Sequence, residues 1–280
     1  MNWKHISYSA IFVAGLAVTS CNNEEKKPEV QTQNVAKEPK IKEDNVTYSG
    51  DNISMKGFVA YDENKEGVRP AVIIVPEWWG LNDYPKQRAK QLAELGYIAI
   101  AIDMYGDGKT ADNPDSAGKY ATPFYQDPQM AKRRFDAALE KLKSYSQTDT
   151  SRIAAIGYCF GGAQVLNMAR LGESLKGVVS FHGNLMGVPA DKNTLKAAIL
   201  VCHGAADSFV SAKELDLFKK EMEKVGADLT FKAYDSAVHA FTNPAATELG
   251  KKFDLNIAYN AKADSASWQD MRSFFDKIFR

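Results

Sequence analysis

The segment of residues 152–170 constrains the fold more than any other part of the chain. An apolar strand, 153–156, leads into the turn Gly157-Tyr158-Cys159-Phe160-Gly161-Gly162, and an apolar helix follows. This is the pattern of a nucleophile elbow, with a cysteine where a serine usually stands. Because the backbone turns sharply at the central residue, the positions two before and two after it must be small, as they are here. The pattern predicts a thiol at the end of a central strand and over a helix N-terminus, whose dipole favours the thiolate.

An ordinary buried cysteine followed by a glycine-rich helix start is the alternative explanation of this segment. Free cysteine is among the most buried residue types, so a lone Gly-x-Cys-x-Gly pattern would not separate the two. The apolar strand before Cys159 and the helix after it favour the nucleophile.

The rest of the chain after Pro70 alternates apolar runs with amphipathic segments. We predict a hairpin at 46–48 and 53–61, strands at 71–75, 97–102, 153–156, 177–181, 197–202 and 230–234, and helices at 85–95, 128–145, 163–170, 211–225 and 261–279. Apolar strands separated by amphipathic helices are typical of a parallel sheet covered on both faces. The sequence therefore predicts an α/β fold with a mostly parallel, twisted sheet.

The first 44 residues differ in composition from the remainder. Lys4 precedes an apolar core, and the sequence Val18-Thr19-Ser20-Cys21 ends it, which resembles the lipobox of a bacterial lipoprotein. A plain secretory signal or a weak membrane anchor are the alternatives. We expect residues 1–20 to be a signal peptide, Cys21 to be lipidated, 22–44 to be a disordered tether and 45–280 to be the catalytic domain. This arrangement predicts an exported protein that is anchored by lipid in the bacterial cell envelope, as a periplasmic or outer-membrane lipoprotein.

The charge balance, the absence of cofactor motifs and the number of cysteines limit what the chain can bind. The chain has 35 basic and 35 acidic residues, so no polyanion such as nucleic acid is implied. No cofactor motif or metal-ligand pattern is present, and we expect a monomer without cofactor or metal. Of the three cysteines, Cys202 lies in a predicted core strand, where we expect it to pack rather than to pair with Cys159.

The partners of the nucleophile should follow later strands, because sites in parallel sheets form beyond the strands' carboxyl ends. Asp207 follows the 197–202 strand and His239 follows the 230–234 strand. The order nucleophile, acid, base then gives a Cys-Asp-His triad. Asp235 is the alternative acid, and His182 and His203 are the other histidines that end strands.

The loop after the first parallel strand should complete the site. In such folds this loop donates one backbone N–H to the oxyanion and the residue after the nucleophile donates the other. Those amides belong to Trp78 and Phe160. We expect Trp79 and Tyr105 to line the substrate pocket.

Four motifs together resemble the dienelactone hydrolase family over residues 46–279, most of the chain. They are Pro76-Glu77-Trp78-Trp79-Gly80-Leu81, Gly157-Tyr158-Cys159-Phe160-Gly161-Gly162, Gly204-Ala205-Ala206-Asp207 and His239-Ala240-Phe241. The resemblance implies an α/β-hydrolase fold and a Cys-Asp-His triad. It also implies a catalytic role for Glu77, which would contact the active-site groups in the resting enzyme and help to form the thiolate.

The chain departs from the family in its arginines. The family holds its substrate carboxylate with arginines after the second strand and just after the histidine. Here those regions read Asp103-Met104-Tyr105-Gly106-Asp107 and Phe241-Thr242-Asn243-Pro244. A neutral ester, lactone or thioester is therefore as reasonable a substrate as a dienelactone.

Three functional hypotheses follow. The first is a hydrolase that cleaves a small ester or lactone through a cysteine acyl-enzyme. The second is a non-catalytic ligand-binding or scaffold lipoprotein that keeps the fold. The third, a redox protein that uses Cys159 and Cys202, lacks a Cys-x-x-Cys spacing.

Overall fold

The computed structural model describes residues 38–280, which form eight strands and seven helices. The strands are β1 (Ile41–Gly50), β2 (Ile53–Asp62), β3 (Arg69–Val75), β4 (Ile98–Ala101), β5 (Thr148–Tyr158), β6 (Gly177–Phe181), β7 (Ala198–Gly204) and β8 (Leu229–Tyr234). The helices are α1 (Asp83–Glu94), α2 (Pro114–Gln126), α3 (Pro128–Lys143), α4 (Phe160–Arg170), α5 (Ala212–Val225), α6 (Ala246–Phe253) and α7 (Ala261–Ile278).

All eight strands lie in one sheet, in the order β1-β2-β4-β3-β5-β6-β7-β8. The β1–β2 and β2–β4 pairs are antiparallel, and every other neighbouring pair is parallel. The carboxyl ends of β3, β5, β7 and β8 consequently point to the same edge of the sheet, where sites form in α/β proteins.

The strands are buried on both faces because helices cover both. Successive residues point to opposite sides, so that Ile73 packs into the core beneath α2, α3, α4 and α5, and Ile74 into the core beneath α1 and α7. The same alternation runs along β5, the central strand that leads to the elbow. The predicted α/β-hydrolase architecture is confirmed.

The hairpin starts earlier than its sequence suggests. β1 begins at Ile41 and pairs with β2, with Ile41 opposite Asp62. Residues 41–44 are therefore strand residues, although the composition places them in the tether. Backbone hydrogen bonds of a ladder do not depend on side-chain type, and β1 is the edge strand, where polar side chains can face solvent. The predicted signal peptide, the predicted lipidation site Cys21 and the predicted tether up to residue 37 lie outside the described residues.

Two helices, α2 and α6, have no counterpart among the predicted elements. α2 starts with Asn113 as N-cap, whose side chain accepts from the Ser116 amide, and has a proline in its first turn. It also contains Gly118 and Pro123, both poor helix formers, which conceal it in the sequence. Of the helices in 38–280, none combines the length and the apolar character that crossing a membrane requires.

Candidate active site

Cys159 occupies the turn between β5 and α4 and has φ 52° and ψ −114°. This left-handed φ costs a non-glycine residue on the order of 1–3 kcal/mol and is tolerated where surrounding structure enforces it. The enforcement comes from two glycines. A Cβ on Gly157 would lie 2.1 Å from the Gly161 carbonyl oxygen, and a Cβ on Gly161 would lie 2.1 Å from the Val75 carbonyl oxygen. Only glycine allows α4 to approach β3 and β5 this closely.

Cys159, His239 and Asp207 form a continuous hydrogen-bonded chain. His239 Nε2 lies 3.0 Å from Cys159 Sγ, and His239 Nδ1 lies 2.9 Å from Asp207 Oδ2. Cys159 is half-buried, whereas the other two are buried. Asp235, the alternative acid, is exposed. The three residues follow β5, β8 and β7, at the edge where the sequence predicts them.

The electrostatics of this chain favour a protonated His239. Burial lowers the pKa of His239, but Cys159 and Asp207 together outweigh it and hold that pKa above its ordinary value. Since Asp207 accepts from Nδ1, the proton on Nε2 faces the sulfur. The arrangement can therefore hold a thiolate beside an imidazolium and return the proton to a leaving group.

A second histidine, His182, lies behind the nucleophile. Its Nδ1 accepts from the Cys159 backbone N–H at 3.1 Å, and its Nε2 lies 2.7 Å from Thr242 Oγ1. Burial, together with the charges of His239 and Arg88, lowers the pKa of His182 well below its ordinary value, so this ring is neutral. His203, by contrast, lies within β7 and packs near Phe231. The contact between His182 and the elbow is not predicted from the sequence.

Glu77 follows β3 and is almost completely buried at the edge of the site. Its Oε2 accepts from Asn243 Nδ2 at 2.6 Å. In the described chain it makes no hydrogen bond to Cys159 or His239, which differs from the contact that the family resemblance implies. Burial raises the pKa of Glu77 to about 7, against the opposing effects of Asn243, His239 and Arg88. Asn243 stands in one of the regions from which the family's arginine is missing.

The two expected oxyanion donors are the backbone amides of Phe160, the residue after Cys159, and of Trp78, which lines the same cavity as Cys159. Phe160 is the first residue of α4, where no intrahelical acceptor exists for its N–H, and Trp78 is in the turn closed by the Gly80 N–H to Glu77 carbonyl bond of 3.0 Å. Within 38–280, neither amide donates to another protein group. Tyr105 donates its hydroxyl to the Trp78 carbonyl oxygen at 2.8 Å and thereby braces this turn.

A cavity of about 280 Å³ opens over the sulfur. Trp79 lines it, as expected, but Tyr105 does not. The Tyr105 ring is buried beneath the site against Phe160, and burial raises its pKa. The expectation for Tyr105 is therefore wrong, because its hydroxyl is directed to a backbone carbonyl rather than to the cavity.

Much of the cavity wall comes from segments that the sequence analysis does not assign to the site. α2 and the loops around α5 and α6 supply the following side chains: Ala121, Thr122, Tyr125, Phe209, Leu255 and Ile257. The asparagine N-cap followed by proline was a usable signal for α2, but nothing local indicates that this helix reaches the sulfur.

The remaining expectations concern metals and disulfides. In the described part of the chain, no three or more His, Cys, Asp or Glu residues are grouped as a metal ion would require. Cys159 and Cys202 are both free thiols. Cys202 is a fully buried strand residue that accepts from the Tyr234 hydroxyl at 3.4 Å.

Comparison with known proteins agrees with this geometry. The model of the dienelactone hydrolase family matches residues 55–279. "Protein usf" of Aquifex pyrophilus is 30% identical over 205 residues, which cover 71% of this chain and 86% of the relative. An Aquifex aeolicus (strain VF5) protein, provisionally named as a carboxymethylenebutenolidase, is 28% identical over 235 residues, covering 82% of this chain and 96% of the relative.

A solved structure gives a similar result. The crystal structure of a dienelactone hydrolase-like promiscuous phosphotriesterase from metagenomic libraries superimposes with a TM-score of 0.80 at 36% identity. The match covers 85% of this chain and 98% of that structure. With a family match over most of its length and a site of this geometry, the chain belongs to the dienelactone hydrolase family and is a hydrolytic enzyme.

Proposed function

We propose that this enzyme cleaves a small ester or lactone through an acyl-thioester formed on Cys159. The observation that carries the proposal is the chain of contacts from Cys159 Sγ through His239 to Asp207, with the sulfur at the floor of a cavity. A nucleophile, a base within hydrogen-bond reach and a group that orients the base are what covalent catalysis requires. Carboxylic ester cleavage also agrees with the carboxymethylenebutenolidase name of the Aquifex aeolicus relative.

The reaction takes two steps. The Cys159 thiolate attacks the carbonyl carbon, so that a C–S bond forms while the C–O bond of the ester breaks, and His239 gives its Nε2 proton to the departing alkoxide. A water then attacks the thioester, with His239 now taking its proton, and the C–S bond breaks to release the acid and restore the thiolate–imidazolium pair. The Trp78 and Phe160 amides stabilise the oxyanion in both steps.

Glu77 is assigned an auxiliary role in this scheme. Glu77 is one of the residues that line the cavity, and its carboxyl group accepts from Asn243 Nδ2 at 2.6 Å. Because burial brings the pKa of Glu77 to about 7, the group can take up or release a proton near the reacting atoms at neutral pH. Glu77→Gln should remove an inflection near pH 7 from the kcat/KM profile, and a profile identical to that of the unaltered enzyme would remove Glu77 from the mechanism.

The decisive experiment follows the acyl-enzyme. Mass spectrometry after rapid quenching of a p-nitrophenyl ester reaction should find the acyl group on the peptide that contains Cys159. Cys159→Ala should lose more than 95% of turnover, on the order of the effect of removing a covalent nucleophile. Cys202→Ala, a change at the buried thiol, serves as the control and should retain turnover. Activity that persists in Cys159→Ala would contradict covalent catalysis at this sulfur, whereas a lack of turnover in the unaltered protein would favour the alternative of a ligand-binding protein that keeps the fold.

The protein's location forms a second part of the proposal. We infer from residues 1–21 that Cys21 carries a lipid and that the catalytic domain is tethered to the bacterial cell envelope. Cys21→Ser should move the protein from the membrane fraction to the supernatant without altering kcat/KM, because the anchor and the site are separate segments. Absence of an acyl chain on Cys21 of the unaltered protein would contradict this inference.

A further inference from the structure

The cavity over Cys159 contains no positively charged side chain other than the catalytic imidazole. The lining residues with ionisable side chains are Glu77, Cys159, His239 and Tyr125, and no lysine or arginine among the described residues lines the cavity. The other polar side chains in the wall, Thr122 and Asn184, are uncharged.

When Glu77 is ionised, the balance of charge in the site is negative even with His239 protonated. Asp207 neutralises the imidazolium through a contact of 2.9 Å, and Glu77 adds a carboxyl group without a cationic partner at hydrogen-bond distance. The buried guanidinium of Arg88 lies 2.5 Å from Asp264 and does not line the cavity. A bound carboxylate would thus be removed from water without a cation to receive it, which is strongly unfavourable.

The opening of the cavity is apolar. Tyr125 is 43% exposed and Phe209 is 44% exposed, and both line the cavity. The Phe209 ring lies 4.7 Å from the His239 ring, and the Tyr125 ring lies 5.6 Å from that of Phe160. These two exposed aromatic rings lie at the opening of the cavity, near His239. They can contact an apolar group of a ligand whose reacting carbonyl reaches the sulfur.

We propose that this site selects uncharged esters that carry an apolar group and excludes esters with a carboxylate near the scissile bond, and that Glu77 is the residue that repels them. The proposal rests on the hydrolytic function proposed above, but selection by charge is a property of the Cys159 cavity and can be measured without turnover. Since burial places the pKa of Glu77 near 7, the exclusion strengthens as pH rises through that value.

Iodoacetamide and iodoacetate provide the test, because they alkylate thiols and are nearly the same size but differ in charge. The full chain is treated with each reagent at pH 6 and pH 8, and labelling of the Cys159 peptide is followed by mass spectrometry, which separates it from Cys21 and Cys202. The quantity compared is the ratio of the alkylation rate by iodoacetamide to that by iodoacetate, measured for Cys159 and for the free thiol glutathione. At pH 8 the ratio for Cys159 should exceed the ratio for glutathione by at least about tenfold, and the ratio for Cys159 should fall at pH 6. A ratio within about twofold of glutathione would overturn the proposal.

Two variants and a matched control test whether charge causes the difference in alkylation rate. Glu77→Gln should lower the ratio at pH 8 and remove its pH dependence. Thr122→Lys places a cation at an exposed position of α2 that lines the cavity and should also lower the ratio, whereas Thr122→Met, of similar length without charge, should not. Equal ratios in the lysine and methionine variants, with no change in Glu77→Gln, would mean that shape and not charge governs entry, and would overturn the proposal.

A substrate arm separates this proposal from the proposed function. The p-nitrophenyl esters of pentanoic acid and of succinic acid have similar length, and only the second carries a terminal carboxylate. The enzyme should favour the pentanoate by about a hundredfold in kcat/KM at pH 8. If neither ester is cleaved but the alkylation ratio holds, ester hydrolysis fails and charge selection stands; equal cleavage of the two esters overturns charge selection and leaves hydrolysis in place.

Discussion

Replacing Glu77 by glutamine should raise the free energy of unfolding above that of the unaltered protein. This gain should be larger at alkaline pH than at acidic pH. Burial raises the pKa of Glu77 from an ordinary 4.5 to about 7 in the folded state. Between those two values the unfolded chain releases the proton more readily, so ionisation favours unfolding and stability is lost as pH rises through this window. Below pH 4.5 the carboxyl is neutral in both states and the cost vanishes.

The magnitude follows from the shift. A difference of about 2.5 pKa units, at 1.36 kcal/mol for each unit, gives about 3 kcal/mol at pH 8. Glutamine has no charge to bury and its side-chain oxygen can still accept from Asn243, so the variant avoids this cost. For a domain of this size, about 3 kcal/mol corresponds to roughly 6–12 °C in Tm.

The assay is denaturant unfolding of both proteins at pH 4.5, 6, 7 and 8. The quantity of interest is the change in the stability difference between the two proteins, because pH effects of all other groups cancel in it. The difference should grow by about 3 kcal/mol from pH 4.5 to pH 7 and then level off. Glu223→Gln, at an exposed position of α5, is the control and should show no such growth. A difference for Glu77→Gln that varies by less than about 0.5 kcal/mol would refute the reasoning.

Three other changes test separate parts of the structure. Asp207→Asn should lower kcat/KM by a factor on the order of 10²–10⁴ with little loss of stability, since an amide no longer stabilises the imidazolium; a loss under about fivefold in an ester assay would contradict the triad. Gly161→Ala should destabilise the protein by more than about 3 kcal/mol in thermal unfolding, because the new Cβ would lie 2.1 Å from a backbone oxygen. Gly118→Ala, where the new Cβ would have no atom within 4 Å, should stabilise α2 by roughly 0.5–1 kcal/mol. Similar effects from both substitutions would disprove the steric argument. Arg88→Met should cost about 2–3 kcal/mol because it removes the guanidinium partner of the half-buried Asp264 carboxylate, which still accepts from the Tyr259 hydroxyl. Lys220→Met, whose side chain is 69% exposed, should cost under about 1 kcal/mol, and equal costs would count against a contribution of the Arg88–Asp264 ion pair.

The sheet and the hydrogen-bonded group of Cys159, His239 and Asp207 could be predicted from the sequence because both rest on local patterns. Apolar β-branched runs such as 71–75 have few alternatives to a buried strand, and the glycines around Cys159 suit only a tight turn. Once a parallel sheet is predicted, Asp207 and His239 follow from their positions just after strands. The chemistry of these positions is thus encoded within a few residues of each strand end.

The rest of the site depends on contacts between distant segments, which no local pattern reports. The bond between Asn243 and Glu77 joins residues 166 positions apart. His182 reaches the Cys159 amide from the neighbouring strand end, and Tyr125 reaches the cavity from a helix that its own proline and glycine conceal. Tyr105 was misplaced for the same reason, because the direction of a loop side chain is set by whichever tertiary partner satisfies its hydroxyl.

The pairing of residues far apart along the chain has a kinetic consequence. The contacts that build the site close loops of 80 residues for Cys159–His239 and 166 for Glu77–Asn243, and the Arg88–Asp264 pair outside the cavity closes a loop of 176. Each such closure is entropically costly and slow, so the site can assemble only after the helices and the first strand pairs have formed. During refolding, helical signal should return before the proposed ester turnover, and on the ribosome Cys159 should be synthesised well before His239.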